Sequence, residues 1–135
     1  MLPLRHTRRW RFVGAIILLV VLLATMAPAF LFDVRLKQVV SHDKWAHFLA
    51  FLILAVWFSG QYARQSYWRL GTALLAFGAL IEVCQYASGY RSAEWLDLAA
   101  DLAGIVVGLL LAVAGAGGWS LRLEEWRRVR NLAGR

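Results

Sequence analysis

The sequence predicts an all-α integral membrane protein, a bundle of four transmembrane helices with both termini in the cytoplasm. Its 135 residues are 61% hydrophobic and 17% charged, whereas a soluble domain of this size has about 45–50% apolar and about 25% charged residues. No charged side chain occurs in residues 12–32 or 102–121. Stretches of that length match the ~20 apolar residues of a helical membrane span. The composition therefore excludes an ordinary soluble enzyme, a disulfide scaffold and a disordered tail.

Four segments have the length that a helix needs to cross a bilayer. Helix is the expected structure because backbone groups in lipid must satisfy one another by hydrogen bonds, and the alternating pattern of a membrane β-strand is absent from the sequence. Glu82 interrupts the third segment and Asp101 the fourth. We predict a single membrane domain over the whole chain, with spans at residues 12–32, 45–63, 70–90 and 98–121.

The basic residues alternate between the two sides of these spans. Eleven of the 15 Lys and Arg residues lie before the first span, between the second and third spans, or after the fourth span. The positive-inside rule therefore places both termini in the cytoplasm. This pattern accounts for most of the formal net charge of +7. A nucleic-acid surface would need basic residues on one folded face with aromatic stacking partners, so we predict no nucleic-acid partner.

Each end of the chain allows two interpretations. Ala27, Pro28 and Ala29 resemble a signal-peptide cleavage site. The apolar run of residues 12–32 is longer than the roughly 7–15 residues of a signal core, which favours its retention as a span. After the fourth span, residues 121–129 mix apolar residues with Arg and Glu. They predict either a short amphipathic helix on the inner leaflet or an exposed polar tail that anchors the topology.

Polar residues concentrate at the predicted outer ends of the spans, whereas the inner halves are apolar. The second span opens with Asp43, Lys44 and His47, and the i,i+4 spacing of Asp43 and His47 places them on one helix face. The third span carries Glu82 and Gln85, with Glu82 roughly 10 Å below the helix end. An unpaired carboxylate at that depth is costly, so we expect Glu82 to be neutral or paired.

The second outer loop and the fourth span continue this polar layer. Arg91 lies in the loop, and Asp97 and Asp101 share one face of the helix through their i,i+4 spacing. Gly104 and Gly108 follow as a G-x-x-x-G pair, which permits close helix approach. This pair predicts that the fourth span is central in the bundle, and it offers a face for a homodimer. The three span ends together predict one polar pocket.

The residue types in this pocket suit the binding of an anion and acid–base chemistry. Arginine and lysine bind phosphate or carboxylate, and histidine with a carboxylate supplies an acid and a base. One histidine with carboxylates is a poor signature for zinc but permits magnesium or manganese; we predict no cofactor and no metal. We assign catalysis to His47, Glu82 and Asp97, and substrate binding to Lys44, Arg91, Asp43, Gln85 and Asp101.

Four short motifs follow one another along residues 43–112. They are D-K-x-x-H at Asp43, Lys44 and His47, E-x-x-Q at Glu82 and Gln85, R-x₅-D at Arg91 and Asp97, and G-x-x-x-G at Gly104 and Gly108. In this order they resemble the VanZ-like family of small bacterial integral membrane proteins. Asp101 departs from the family pattern, which more often has Asn there. The resemblance implies a multi-pass protein of the inner membrane, in a family associated with low-level resistance to the glycopeptide teicoplanin.

Two functions remain open on these observations. The first is an outward-facing pocket that binds or modifies an envelope lipid or a cell-wall precursor head group, and we leave open whether a reaction is catalysed. The second is a non-enzymatic structural or accessory protein whose polar residues form an interhelical network. A transporter is disfavoured, because four spans make a narrow bundle and the sequence shows no inverted repeat.

Overall fold

The protein is predominantly helical. A computed structural model describes residues 1–26, 43–88 and 94–134, and these residues contain no β-strand. The helices are α1 (Thr7–Met26), α2 (Asp43–Ser59), α3 (Tyr67–Ser88), α4 (Trp95–Leu111) and α5 (Trp119–Ala133), with a 3-10 turn (Arg64–Ser66) before α3 and a π-helical turn (Ala112–Ala116) after α4. The all-α prediction is confirmed for the described residues.

Among the described residues, two helical stretches are long and apolar enough to cross a membrane. They are Arg64–Ala87, which contains most of α3, and Trp95–Ala133, which contains α4. A shorter apolar helix, Lys44–Ser59, corresponds to α2. By length and composition, the structure therefore supports membrane spans at α3 and α4.

The ends of the helices differ from the predicted spans. α1 begins at Thr7 rather than at residue 12, because the intervening arginines are good helix formers. The hydroxyl of Thr7 donates to the Leu4 carbonyl at 2.7 Å. α2 ends at Ser59, before residue 63. The last part of the predicted first span, including the possible cleavage site, lies outside the described residues.

The predicted fourth span does not continue unbroken to residue 121. Gly115 and Gly118 have φ angles of 132° and 69°, in the left-handed region that residues with a side chain rarely adopt. The helical path is broken between them, and α5 begins at Trp119. Residues 119–121 therefore belong to a separate helix, which their apolar character alone does not reveal.

α5 packs against the beginning of α1. Glu124 accepts hydrogen bonds from Trp10 Nε1 at 2.8 Å and from the backbone N–H groups of Arg5 and His6 at 2.7 and 3.1 Å. Burial raises the pKa of Glu124, but these hydrogen bonds outweigh burial and lower that pKa below its usual value. The tail is thus helical, and its position on a leaflet stays a prediction.

The hydrophobic core lies between α2, α3 and α4, and α1 covers it from one side. The buried core side chains are Phe51, Leu54, Ala55, Leu70, Leu74, Ile81 and Ile105. Ile17, Leu18, Val21 and Leu22 of α1 pack against them. This core fixes the relative positions of the three helix ends that carry the predicted pocket.

α2 and α4 come closest to each other at two glycines. A Cβ atom on Gly104 would overlap the Phe48 carbonyl oxygen and lie 3.0 Å from the Leu52 nitrogen. A Cβ on Gly108 would lie 2.7 Å from Ala55 Cβ. The close approach predicted for this pair therefore occurs within one chain. Because α2 already covers this face, a second copy would have to displace it to form the predicted homodimer.

The end of the bundle opposite the predicted pocket contains buried polar residues. Ser59, Gln61 and Ser120 are buried there. Ser120 Oγ donates to the Gly60 carbonyl, and the Gly118 N–H donates to the Ser59 carbonyl at 3.1 Å. The last carbonyls of a helix have no partner within it; the Gly118 N–H satisfies that of Ser59, the last residue of α2, and Ser120 that of the next residue. The prediction of entirely apolar inner halves is wrong at these positions.

Candidate functional site

Three helices bring three potential ligands together at the end of the bundle where α2 begins. His47 on α2, Glu82 on α3 and Asp97 on α4 each offer one nitrogen or oxygen atom, and these atoms lie within 4.8 Å of one another. The residues are 4%, 8% and 1% exposed. We call these three residues the His47 cluster. The structure thus brings together the three residues to which the sequence analysis assigns catalysis.

Asp101 lies one helical turn beyond Asp97 and contacts the imidazole of His47. Nδ1 of His47 and Oδ1 of Asp101 are 2.9 Å apart, and both side chains are buried. A carboxylate oxygen accepts a hydrogen bond, so Nδ1 carries the proton and a neutral His47 has its lone pair on Nε2. Asp101, assigned to substrate binding on the sequence, therefore orients the histidine in the structure.

Gly78 on α3 provides the space for the Asp101 carboxylate. A Cβ atom on Gly78 would overlap Oδ2 of Asp101 and lie 3.2 Å from Phe51 Cζ. The sequence analysis did not identify Gly78, because a single glycine within an apolar span carries no pattern. Its role follows only from the packing of α3 against α4.

We expect Gly78→Ala to displace the Asp101 carboxylate and to destabilise the protein by about 1–3 kcal/mol, the usual cost of overpacking. The measurement is unfolding of the purified protein in detergent by titration with a denaturing detergent, followed by circular dichroism. Gly71→Ala, on the same helix, is the matched control, since its Cβ would meet only side-chain atoms of Leu109 and Ile105 at 3.3 and 3.6 Å. Equal stability of the two variants would show that Gly78 does not accommodate Asp101.

Glu94 connects the His47 cluster to the surface. Its backbone N–H donates to Oε2 of Glu82 at 3.1 Å. Its carboxylate lies 3.8 Å from Nζ of Lys44, and these two side chains are 51% and 50% exposed. Lys44 therefore lies at the rim of the site. Glu94 was not predicted from the sequence, because its role depends on Glu82 and Lys44, which lie on other helices.

Three further residues of the predicted site are Gln85, Asp43 and Arg91. Gln85 is buried and its Nε2 donates to the Thr25 carbonyl at 3.2 Å, which joins α3 to α1. Asp43 is the first residue of α2, but its side chain lies outside the described part of the chain. Arg91 lies outside the described residues altogether.

A groove of about 340 Å³ lies between α3 and α4, beside Glu82. It is lined by Ala79, Glu82, Val83, Tyr86, Glu94, Trp95 and Leu98. Tyr86 and Trp95 are 72% and 87% exposed. Exposed aromatic side chains of this kind are typical of the interface between membrane and water. The sequence analysis missed the groove, because its walls come from two helices that are separate in sequence.

No family model, no characterised protein and no solved structure matches the chain. The VanZ-like resemblance rests on the four motifs alone and stays a prediction. We therefore infer the function from the geometry of the His47 cluster and of the adjoining groove.

Proposed function

We propose that the chain is a VanZ-like protein of the bacterial cytoplasmic membrane, whose polar pocket binds or modifies an envelope lipid or a cell-wall precursor head group. The position of Glu82 carries the proposal. Its side chain lines the mostly apolar groove and also belongs to the buried His47 cluster. An amphiphile has the same two parts, so its hydrocarbon chain would lie in the groove and its head group beside Glu82, at the rim where Lys44 lies.

The proposed topology has α1 to α4 as four membrane spans, with both termini in the cytoplasm and the His47 cluster facing outward. The distribution of arginine and lysine supports this orientation. Large apolar side chains on α1, among them Phe12, Leu19 and Leu23, are exposed on the surface of the chain. A contiguous apolar surface is stable against lipid but not against water.

Lys44 and Arg91 are the cations that would recognise an anionic head group. Lys44 pairs with Glu94, and both side chains are half exposed. Such surface pairs contribute only about 0–1 kcal/mol, so an incoming phosphate can replace Glu94 at little cost. Arg91, three residues before Glu94 in the sequence, provides a second cation. His47 with Glu82 supplies an acid and a base.

Binding of a polyprenyl phosphate to the purified protein in nanodiscs tests the proposal. Native mass spectrometry should show this lipid bound in preference to the neutral polyprenol. The double substitution Lys44→Gln with Arg91→Gln should weaken binding about tenfold or more, because a hydrogen bond to a charged group contributes about 1.5–3 kcal/mol. Arg127→Gln with Arg128→Gln is the matched control, since these residues lie on α5 away from the groove.

A test in cells addresses the chemistry. Single His47→Gln and Glu82→Gln variants should lose the contribution of the protein to teicoplanin tolerance while they accumulate normally in the membrane. Full teicoplanin tolerance in both variants, together with lipid binding that does not depend on Lys44 and Arg91, would refute the proposal.

A structural or accessory role is the second candidate, and the interhelical hydrogen bonds favour it. His47 and Asp101 join α2 to α4, and Gln85 joins α3 to α1. The charge swap Lys44→Glu with Glu94→Lys separates the two candidates, because it preserves the ion pair. A structural role predicts that the swap restores what Lys44→Glu alone removes. A binding role predicts reduced lipid binding, because a carboxylate then stands where the head group needs a cation.

A further inference from the structure

The buried end of the site holds a concentration of negative charge. Glu82, Asp97 and Asp101 are buried carboxyl groups around the single imidazole of His47. Lys44 forms its ion pair with Glu94 at the surface instead. Burying charges is costly unless they are neutralised. When these carboxylates are ionised, a protonated His47 balances only one of them, so negative charge is in excess among the described buried residues of the site.

Two carboxylate oxygens at the site are directed at no hydrogen-bond donor among the described residues. They are Oε1 of Glu82 and Oδ2 of Asp101, and both atoms are buried. Glu82 is more than nine-tenths buried, and its other oxygen already accepts from the Glu94 N–H. Since buried polar atoms are nearly always bonded, Oε1 of Glu82 is an oxygen available to bind a ligand within the cluster.

We propose that His47, Glu82 and Asp97 bind a divalent cation of the Mg²⁺ or Mn²⁺ class. Ligand atoms about 2.0–2.1 Å from one Mg²⁺ ion are at most about 4.2 Å apart. The atoms of the cluster lie within 4.8 Å of one another, so small movements of these side chains bring them to bonding distance of a common ion. One imidazole with carboxylate oxygens suits this class of ion. No metal was predicted from the sequence, because one histidine with carboxylates is a poor signature for zinc and only permits magnesium or manganese.

Asp101 is a positioning residue in this site. Its carboxylate accepts from Nδ1 of His47, which leaves Nε2 to bind the ion. Histidine ligands of metals commonly donate their other N–H to a carboxylate in this way, and the partner fixes the orientation of the ring. The site rests on the geometry of the cluster and does not require that the protein bind a lipid.

Electron paramagnetic resonance with Mn²⁺ tests the proposal on the full-length protein in detergent. The chain has three histidines, so a variant with His6→Gln and His42→Gln retains His47 alone. This variant should bind one Mn²⁺ per chain in chelator-treated buffer supplemented with Mn²⁺. The bound ion should show electron–nuclear coupling to a ¹⁴N nucleus, and labelling the protein with ¹⁵N-histidine should replace it by ¹⁵N coupling.

Substitutions identify the other ligands. Glu82→Gln and Asp97→Asn should each abolish Mn²⁺ binding. Asp101→Asn should weaken it about 10- to 100-fold, as the loss of partners of histidine ligands does. Glu125→Gln is the matched control, because Glu125 lies on α5 and its substitution should leave binding unchanged. Circular dichroism verifies that each variant is folded.

Three results would overturn the proposal. They are a folded wild-type protein that binds no Mn²⁺ at millimolar concentration, bound Mn²⁺ without histidine nitrogen coupling, and binding that survives the combined Glu82→Gln and Asp97→Asn substitutions. The isotope experiment requires no change in the cluster, so a variant that fails to fold does not prevent the decision. None of these results affects the lipid test, which depends on Lys44 and Arg91.

Discussion

Gly104→Ala is expected to destabilise the protein by about 1–3 kcal/mol, even though alanine is the better helix former. A Cβ on Gly104 would overlap the carbonyl oxygen of Phe48 and lie 3.0 Å from the Leu52 nitrogen. Both contacts involve the α2 backbone, which cannot rotate away as a side chain can. α2 and α4 would have to separate, and this would also pull His47 away from Asp101.

Detergent-denaturation curves followed by circular dichroism measure this effect. Gly71→Ala is again the control, because it makes the same chemical change in an apolar helix and meets only flexible side chains. It should leave stability unchanged or raise it by up to about 1 kcal/mol through helix propensity. If Gly104→Ala is no less stable than Gly71→Ala, α2 and α4 do not contact each other closely at Gly104.

The His47–Asp101 pair is expected to show strong energetic coupling. Removing one partner of a buried pair costs about 3–5 kcal/mol, because the other polar group is left buried without a partner. His47→Ala and Asp101→Ala should therefore each be strongly destabilising. The double variant should be more stable than the sum of the single effects predicts, with an interaction energy of about 0.5–3 kcal/mol. This double-mutant cycle is measured in buffer that contains a chelator, so that bound cations do not contribute to the stability.

A second double-mutant cycle serves as the control. Lys44 and Glu94 form an ion pair at the same end of the bundle, but both side chains are half exposed. Alanine substitutions there should show a coupling of only about 0–1 kcal/mol. Coupling of equal size in the two cycles would contradict the buried, desolvated character of the His47–Asp101 contact.

The helices were largely predictable from the sequence, because apolar runs of sufficient length favour helix in any apolar environment. α2, α3 and α4 lie close to the predicted segments. The break after α4 was not predictable from hydrophobicity, since residues 102–121 are uniformly uncharged. It depends on the positive φ angles of Gly115 and Gly118, and a glycine in an apolar segment is equally compatible with continuous helix.

The candidate site was predictable in part. His47, Glu82 and Asp97 were identified because charged groups in apolar segments are costly and therefore informative. Glu94 was missed, because an acidic residue in a polar loop is ordinary. Gly78 was missed for a similar reason, because a small residue within a membrane span is ordinary. In both cases the role depends on a neighbour from another helix.

The sequence by itself determined that the described part of the chain is all-helical and rich in apolar segments, because these properties depend on local composition and period. It also determined which residues are too polar for their surroundings. Only the tertiary structure decided their partners: Asp101 with His47, Glu94 with Lys44, and Gly104 against the backbone of α2. Such contacts join residues distant in sequence, and they depend on the rotation and depth of each packed helix, which an apolar pattern leaves undetermined.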